Sequence, residues 1–143
     1  MNANSTIHAE VKAALDTWAN SYIQRDIERL LSCIAPDVDV VMFGTGVDEK
    51  RIGLTEIRAQ AERDWAQTDA AAFNLENLMV SSAGSVAWVS SDATFRVELG
   101  GEAMAFPARF TGVFEKRSEK WLVVQAHFSL PAMGQDDGDS VPS

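Results

Sequence analysis

The first half of the chain places hydrophobic residues at helical spacing. An apolar residue recurs every three or four positions in the first segment, at Ile7, Val11, Leu15, Trp18 and Tyr22. This period predicts one amphipathic helix, which the polar residues 4–6 can cap. Asp26 is suited to cap a second, shorter helix that ends before Pro36, and a third periodic segment runs from Leu54 to Trp65 after Gly53.

From Phe73 onward the hydrophobic period changes from about 3.6 residues to two, which is typical of strands. A first run covers Phe73–Val80, and two long strands, Ser85–Leu99 and Glu102–Lys116, are joined by the hairpin signal Gly100-Gly101. Trp121–Leu130 forms the last strand of this meander. Before the third helix, the β-branched run Asp37–Phe43 predicts one short strand, and residues 47–52 are expected to be a polar loop.

Helices followed by an antiparallel meander predict an α+β fold. We expect a cone-shaped, curved antiparallel or mixed sheet packed on three N-terminal helices and enclosing a pocket. The domain is predicted to span residues 5–131. Residues 132–143 lack a hydrophobic pattern and carry three acidic side chains, so we expect a flexible acidic tail.

Composition narrows the functional classes. The formal net charge of −9 disfavours nucleic acid and anionic membranes as partners. Neither a signal peptide nor an apolar run of about 20 residues is evident, so we expect a cytoplasmic protein. The single cysteine, Cys33, lies in an apolar helical stretch and is interpreted as a core residue rather than a nucleophile.

Several landmarks in this order of elements resemble the SnoaL-like group of the nuclear transport factor 2-like superfamily. They are Trp18 with Arg25-Asp26, Phe43-Gly44-Thr45-Gly46, Gly53, Val86-Ala87-Trp88-Val89, Glu115 to Trp121, and His127-Phe128-Ser129, within residues 7–131. The resemblance implies the cone fold, a pocket and a homodimer. It also implies relatives of diverse function, including ketosteroid isomerase, polyketide cyclases, scytalone dehydratase and the association domain of calcium/calmodulin-dependent kinase II, so any reaction has to be argued from the site.

The sequence departs from two of these relatives. The isomerase needs a carboxylate base opposite a Tyr and a protonated Asp, and here no second acid is clearly placed beside Tyr22, the only tyrosine. Positions that resemble the kinase domain's pocket arginines are Gly112 and Phe128, which implies a less polar pocket.

Arg109 and His127 are the first candidate pair. If residue 109 pairs with residue 127, both side chains lie on one face of the sheet, where Arg109 could hold an oxygen of a ligand and His127 could move a proton. The competing interpretation gives the pocket the more apolar face, formed on the last strand by Leu122, Val124, Ala126 and Phe128 and on its neighbour by Phe106, Phe110 and Phe114. Arg109 and His127 then lie on the outer face, available to a dimer partner, and we favour this interpretation.

Asp92 is the second candidate, as a base beside Trp88 on the same strand face, although a solvated carboxylate is the commoner case. Tyr22 is the third candidate for catalysis. Predicted ligand-contacting residues are Trp18, Trp65, Trp88, Arg109, Phe110 and Phe128. We expect no metal site and no cofactor, since His8 and His127 have no partners at ligand spacing and Gly44-Thr45-Gly46 lacks the lysine of a phosphate-binding loop.

Three functions remain open. The favoured one is a pocket protein that binds a small apolar or oxygenated ligand of unknown identity. The second is a cofactor-independent isomerase, cyclase or dehydratase that uses Asp92, Tyr22 or His127 next to a carbonyl. The third is a dimer or assembly module without catalysis.

Overall fold

Three helices and six strands form the fold in the computed structural model, which describes residues 1–143. The predicted α+β architecture is confirmed. In chain order the elements are α1 (Ser5–Ile23), α2 (Ile27–Ser32), β1 (Val41–Phe43), β2 (Lys50–Ile52), α3 (Gly53–Ala66), β3 (Ala70–Ala83), β4 (Val86–Leu99), β5 (Glu102–Arg117) and β6 (Lys120–Ser129).

Side-chain caps fix the starts of the first two helices. Asn4 Oδ1 accepts a hydrogen bond of 2.9 Å from the backbone N–H of Ile7, and Asp26 Oδ1 accepts one of 3.1 Å from that of Arg29. Each cap satisfies a donor that the helix itself leaves unpaired. Both helices therefore begin at polar residues that were predicted as caps, one within residues 4–6 and the other at Asp26.

The prediction of a polar loop at residues 47–52 was wrong at its end, because Lys50–Ile52 forms the strand β2. This strand pairs antiparallel with β1, and Arg51 lies opposite Met42. Gly53 then turns the chain directly into α3 with a φ of +79°, a conformation that favours glycine. Three residues are too few to show a strand period, so the pattern could not reveal β2.

The six strands form one mixed sheet in the order β2-β1-β6-β5-β4-β3. Only β1 and β6 run parallel, and the four other pairings are antiparallel. The helices cover the inner face of this sheet, where α1 packs mainly against β3. The core lies between them and includes the almost fully buried side chains of Val11, Val40, Phe110, Phe114 and Val123.

A β-bulge in β6 changes which residues point inward. Phe114 pairs with Val123 while Val113 pairs with Gln125, so Val124 is the extra residue of the bulge. Trp121 and Val123 are therefore buried on one side of the bulge and Ala126 on the other. The predicted inward face of Leu122 and Val124 was wrong, because strict alternation cannot continue through an inserted residue.

Residues 132–143 make hydrogen bonds only with one another. Ser143 bonds to the carbonyl of Gly134, and the Gln135 amide donates to the carbonyl of Asp139. Almost all of residues 132–143 are exposed. The flexibility of this tail and the domain boundary at residue 131 stay predictions. None of the three helices is both long and apolar enough to cross a membrane.

Candidate functional site

A cavity of about 440 Å³ lies between α1, α3 and the inner face of the sheet. Most of its lining is apolar, and aromatic rings form its largest part, from Trp18, Phe73, Phe95, Phe106 and Phe128. Phe106 is 41% exposed and Leu130 is 40% exposed. Both residues line the cavity, so the cavity is in contact with solvent on this side.

The aromatic lining is a packed cluster rather than a set of isolated rings. The ring centre of Phe128 lies 5.2 Å from that of Phe73, 5.1 Å from that of Phe95 and 4.7 Å from that of Phe110. Trp18 lies 5.6 Å from Phe73 in an edge-to-face arrangement. Tilted and edge-to-face pairs at these distances stabilise one another, so the rings form a rigid apolar wall.

Polar groups are gathered on one side of the cavity, around Asp64 of α3. Tyr22 Oη donates a hydrogen bond of 2.9 Å to Asp64 Oδ2, and Gln60 Nε2 donates one of 2.7 Å to Asp64 Oδ1. The Gln60 amide also accepts from Arg51 Nε at 2.8 Å and donates to Glu49 Oε1 at 3.1 Å. Both N–H donors of this amide and one acceptor position of its oxygen are therefore used.

The glycines of residues 44–46 make room for the Glu49 carboxylate at the rim of this polar wall. Gly46 N donates a hydrogen bond of 2.7 Å to Glu49 Oε2, and a Cβ on Gly44 would lie 2.3 Å from the same oxygen. Arg63 Nη2 lies 3.0 Å from Glu49 Oε1 on the other side. The motif Gly44-Thr45-Gly46 thus holds a side chain of its own loop and brings a second carboxylate to the cavity.

Burial raises the pKa of both Asp64 and Tyr22, the hydrogen-bonded pair at the polar side of the cavity. Burial raises the pKa of Asp64 above its ordinary value of 3.8, against the hydrogen bonds from Tyr22 and Gln60, which lower it. Burial, together with the nearby Asp64 carboxylate, also raises the pKa of Tyr22. The phenol therefore remains a hydrogen-bond donor at neutral pH, while Asp64 is a carboxyl group with increased basicity.

The ends of α1 and α3 hold Tyr22 and Asp64 together. Trp65 Nε1 donates a hydrogen bond of 3.1 Å to the backbone oxygen of Tyr22. In return Arg25 reaches the end of α3, with Nη1 2.7 Å from the oxygen of Trp65 and Nη2 2.9 Å from that of Thr68. Arg25 adopts a φ of +57°, which this bonding supports.

Two predicted site residues, Asp92 and Trp88, lie outside the cavity. They belong to the outward series of β4, since the alternate residues Val89, Ser91 and Ala93 are buried on the inner face. Asp92 is exposed and accepts a hydrogen bond of 2.8 Å from Asn77. Their predicted positions in the pocket were wrong because the strand period shows which residues share a face but not which face is inside.

Arg109 and His127 also lie on the outer face. Arg109 pairs with Ser129 and His127 pairs with Thr111, so the assumed pairing of residue 109 with residue 127 was wrong by two residues. A shift of two leaves both side chains on one face. His127 is exposed and its ring centre lies 4.9 Å from that of Phe43, whereas Arg109 Nη2 donates weakly to the oxygen of Leu130.

The remaining predicted residues lie on the inner side. Trp18, Tyr22 and Phe128 line the cavity. Phe110 is 1% exposed and packs behind Phe128, while the half-buried Trp65 packs beside Tyr22 at a ring distance of 5.9 Å. Phe110 and Trp65 therefore support the wall of the cavity without forming its surface.

Sequence reasoning missed Asp64, Gln60, Glu49 and Arg51. A signal for the first two was present, because Gln60 and Asp64 share the apolar face of α3 that buries Ile57 and Ala61. Gln60 and Asp64 follow the buried Ile57 by three and seven residues, so they are polar residues on an otherwise apolar helix face. Glu49 and Arg51 had no comparable signal, since their position depends on the turn into β2.

The pH dependence of stability tests the environment of Asp64. Because the fold raises its pKa, the folded state binds the proton more tightly than the unfolded state does. We expect the stability of the wild type relative to Asp64→Asn to be greatest below pH 3.8 and to fall as the pH rises through the raised pKa. Urea denaturation of both proteins at several pH values measures this difference.

Asp37→Asn is a control for which we expect the opposite dependence of stability on pH. The hydrogen bond from Arg117 lowers the pKa of Asp37, so its contribution is present above the ordinary pKa and is lost as the pH falls. The stability of the wild type relative to Asp37→Asn should therefore rise with pH. A pH-independent difference for Asp64→Asn would contradict the burial described above.

Comparison with known proteins gives one family match and many structural matches. The model of a family described as SnoaL-like domain matches residues 11–133. No functionally curated protein matches the chain significantly. A dehydratase, so named only provisionally, of the nuclear transport factor 2-like family from Streptomyces avermitilis is 19% identical, with a TM-score of 0.82 over 90% of this chain and 99% of its own.

Two further solved structures are similar over nearly their whole length. A nuclear transport factor 2-like superfamily protein from Salmonella enterica is 17% identical, with a TM-score of 0.82 over 97% of this chain and 100% of its own. A protein of unknown function with the same fold, from Pseudomonas putida, is 21% identical, with a TM-score of 0.77 over 98% and 95%. At these identities the likeness shows the fold alone.

Proposed function

The chain belongs to the SnoaL-like domain family, and from its cavity we propose that it binds a small molecule with an apolar body and an oxygen-bearing group. The observation that carries this proposal is the combination of a rigid aromatic wall with one polar wall, formed around the hydrogen bond of 2.9 Å between Tyr22 and Asp64. Ligand sites are typically apolar cavities of roughly 300–1,000 Å³ with a few convergent polar groups. The cavity of about 440 Å³ is within this range.

A second candidate function is proton transfer next to a carbonyl, without a cofactor. The specific observation in its favour is the raised pKa of Asp64 inside the cavity, since a carboxylate of increased basicity is suited to remove a proton from carbon. Isomerases, cyclases and dehydratases can all begin with this step. Asp64 takes the role that the sequence had suggested for Asp92, with Tyr22 as its hydrogen-bond partner. The provisional name of the Streptomyces protein belongs to the same class of reactions.

We also keep the homodimer as a proposal. On the outer face, Trp88, His127 and Met79 line a smaller groove of about 260 Å³, and Met79 is 66% exposed. A partner that covers this groove would remove apolar surface from water. An assembly role alone would not use the cavity or its polar wall, so we rank it below binding and proton transfer.

Filling the cavity tests the binding proposal. Ala71 lines the cavity, whereas its neighbour Ala72 lies on the other face of β3, opposite Arg96. We expect Ala71→Phe to weaken the binding of 2-naphthol at least about tenfold, because the new ring occupies the space of the ligand. Ala72→Phe, the matched control, should bind 2-naphthol as the wild type does. Isothermal titration calorimetry measures both affinities.

Thermal unfolding of both variants establishes that each is folded at the temperature of the titration. Equal affinities of the wild type and Ala71→Phe would place 2-naphthol outside the cavity and contradict the proposal. Failure of the wild type to bind 2-naphthol or any other neutral bicyclic compound would also contradict it.

A further inference from the structure

Arg51 lines the cavity and has side-chain hydrogen-bond donors without a protein partner. It lies on β2 and is half-buried, and its Nε donates to Gln60 Oε1 at 2.8 Å. This is the only hydrogen bond of its side chain, so Nη1 and Nη2 have no protein partner. These two atoms carry four of the five N–H donors of the guanidinium, whose positive charge is delocalised over its three nitrogens.

Other arginines near the cavity are held by the protein itself. Arg63 bonds to Asp48 at 2.8 Å and to Glu49 at 3.0 Å. Arg25 donates to the carbonyl oxygens that end α3. Among these three, Arg51 is the one whose terminal nitrogens are free and which also lines the cavity.

No carboxylate is hydrogen-bonded to Arg51. The pKa of Asp48 is lowered mainly by its hydrogen bond from Arg63 and to a smaller extent by the charge of Arg51. Glu49 is already bonded to Arg63, Gln60 and the backbone of Gly46. Asp64 accepts from both Tyr22 and Gln60. The Gln60 amide lies between Arg51 and these acids, with its oxygen toward the guanidinium and its nitrogen toward both carboxylates. The terminal nitrogens of Arg51 are therefore not engaged by any carboxylate of the protein.

We propose that Arg51 binds a carboxylate of the ligand, which makes small aromatic or alicyclic carboxylic acids the substrate class of the site. This inference rests on the proposed binding function and goes beyond it by naming the charged group. A carboxylate loses its water of hydration inside an apolar cavity and needs a charged partner there. The planar fork of a guanidinium supplies two parallel N–H donors to the two oxygens of a carboxylate.

The polar wall also connects Arg51 to the hydrogen-bonded pair of Tyr22 and Asp64. Arg51 and Asp64 bond to opposite ends of the same Gln60 amide. A carboxylate held at Arg51 thus brings the adjoining carbon atoms of the ligand toward the Tyr22–Asp64 pair. The apolar remainder of the molecule then packs against the rings of Phe73 and Phe128. Gln60 thus joins the guanidinium and the Asp64 carboxyl in one hydrogen-bond network.

Paired probes test the inference. 2-Naphthoate and 2-naphthamide have the same ring and nearly the same shape but differ in charge. We expect the wild type to bind the naphthoate at least about tenfold more tightly than the amide, at low salt and neutral pH. Arg51→Gln should lose this preference and still bind the amide, and Arg51→Lys should keep part of it because the charge remains without the fork.

Arg96→Gln is the matched control. Arg96 is exposed on the outer face of β4 and makes no hydrogen bond, so its replacement changes the net charge equally without touching the cavity. This variant should keep the full preference for the naphthoate. Calorimetric titrations of the four proteins, with circular dichroism as a check of folding, provide the measurement.

The outcomes separate the two proposals. Binding of both probes to the wild type with equal affinity would overturn the role of Arg51 and leave the binding function standing. A preference that persists in Arg51→Gln, or an equal loss of both probes in that variant, would also overturn it, because another group or a structural role would then explain the data. Failure of the wild type to bind either probe would contradict the binding function itself.

Discussion

Replacing Trp121 by alanine is expected to destabilise the domain by about 3–5 kcal/mol, the usual cost of removing a buried Trp side chain from a core. Trp121 is 5% exposed and is part of the main hydrophobic core. Its Nε1 donates a hydrogen bond of 2.7 Å to Glu10 Oε2, so the ring also joins β6 to α1. The substitution leaves a cavity and removes a link between two elements that are distant in the sequence.

Chemical denaturation measures this loss directly. For a domain of this size, the corresponding decrease in melting temperature is roughly 10–20 °C. Trp121→Phe is the matched control, because it keeps most of the apolar volume and loses the hydrogen bond to Glu10. We expect its destabilisation to be about 1–2 kcal/mol. An unchanged melting temperature for Trp121→Ala would contradict the packing of this residue described above.

Replacing Asp64 by asparagine is expected to slow proton transfer by about 10²–10⁴-fold, the usual contribution of a general base. The assay is the incorporation of deuterium from D₂O next to the carbonyl of a bicyclic ketone, starting with 1-tetralone and followed by NMR. In this reaction the Asp64 carboxylate accepts the proton from carbon, and a deuteron from solvent replaces it. An amide in the same position cannot accept the proton.

The variant Tyr22→Phe tests whether Tyr22 acts on the protonation of Asp64 or only stabilises the fold. The hydrogen bond from Tyr22 lowers the pKa of Asp64 against the effect of burial, so its removal should raise that pKa further. Exchange depends on ionised Asp64 and therefore increases with pH. We expect the midpoint of this increase to move to higher pH in Tyr22→Phe, a change that a mere loss of stability would not produce.

Asp92→Asn is the control for the exchange assay, because Asp92 lies on the outer face and bonds to Asn77. This variant should exchange deuterium at the wild-type rate. Wild-type exchange in Asp64→Asn would contradict the role of Asp64 as the base. If the wild type binds the ketones but exchanges none of them, proton transfer is contradicted and binding remains.

Prediction of the candidate site from the sequence was limited by the direction in which strand residues point. Asp92 and Trp88 lie on a strand whose two faces both carry a regular pattern, and the burial of Val89 and Ala93 decides which one is inside. A helix face is easier to interpret, because only one side of α1 is apolar. Trp18 and Tyr22 belong to the apolar stripe of this helix, and both line the cavity.

The sequence by itself determined the elements and their class. Hydrophobic periods near 3.6 and 2 predicted the three helices and the long strands, and local signals at residues 4–6, Asp26 and residues 100–101 predicted where some of them begin or turn. These features depend on interactions between residues close in the chain, so a pattern is sufficient to reveal them. The resemblance to the SnoaL-like family, confirmed by the match over residues 11–133, depended on the order of these elements and on short motifs such as Phe43-Gly44-Thr45-Gly46 and His127-Phe128-Ser129.

Only the tertiary structure decided which residues form the site. Asp64 meets Tyr22 across 42 positions of sequence, and Arg51 reaches the cavity because the short strand β2 pairs with β1. The bulge at Val124 changes which alternate residues of β6 face inward. The burial of their neighbours Phe110 and Ala126 shows that Arg109 and His127 lie on the outer face. Contacts of this kind depend on the pairing of distant segments and on the curvature of the whole sheet. No local period in the sequence encodes either of them.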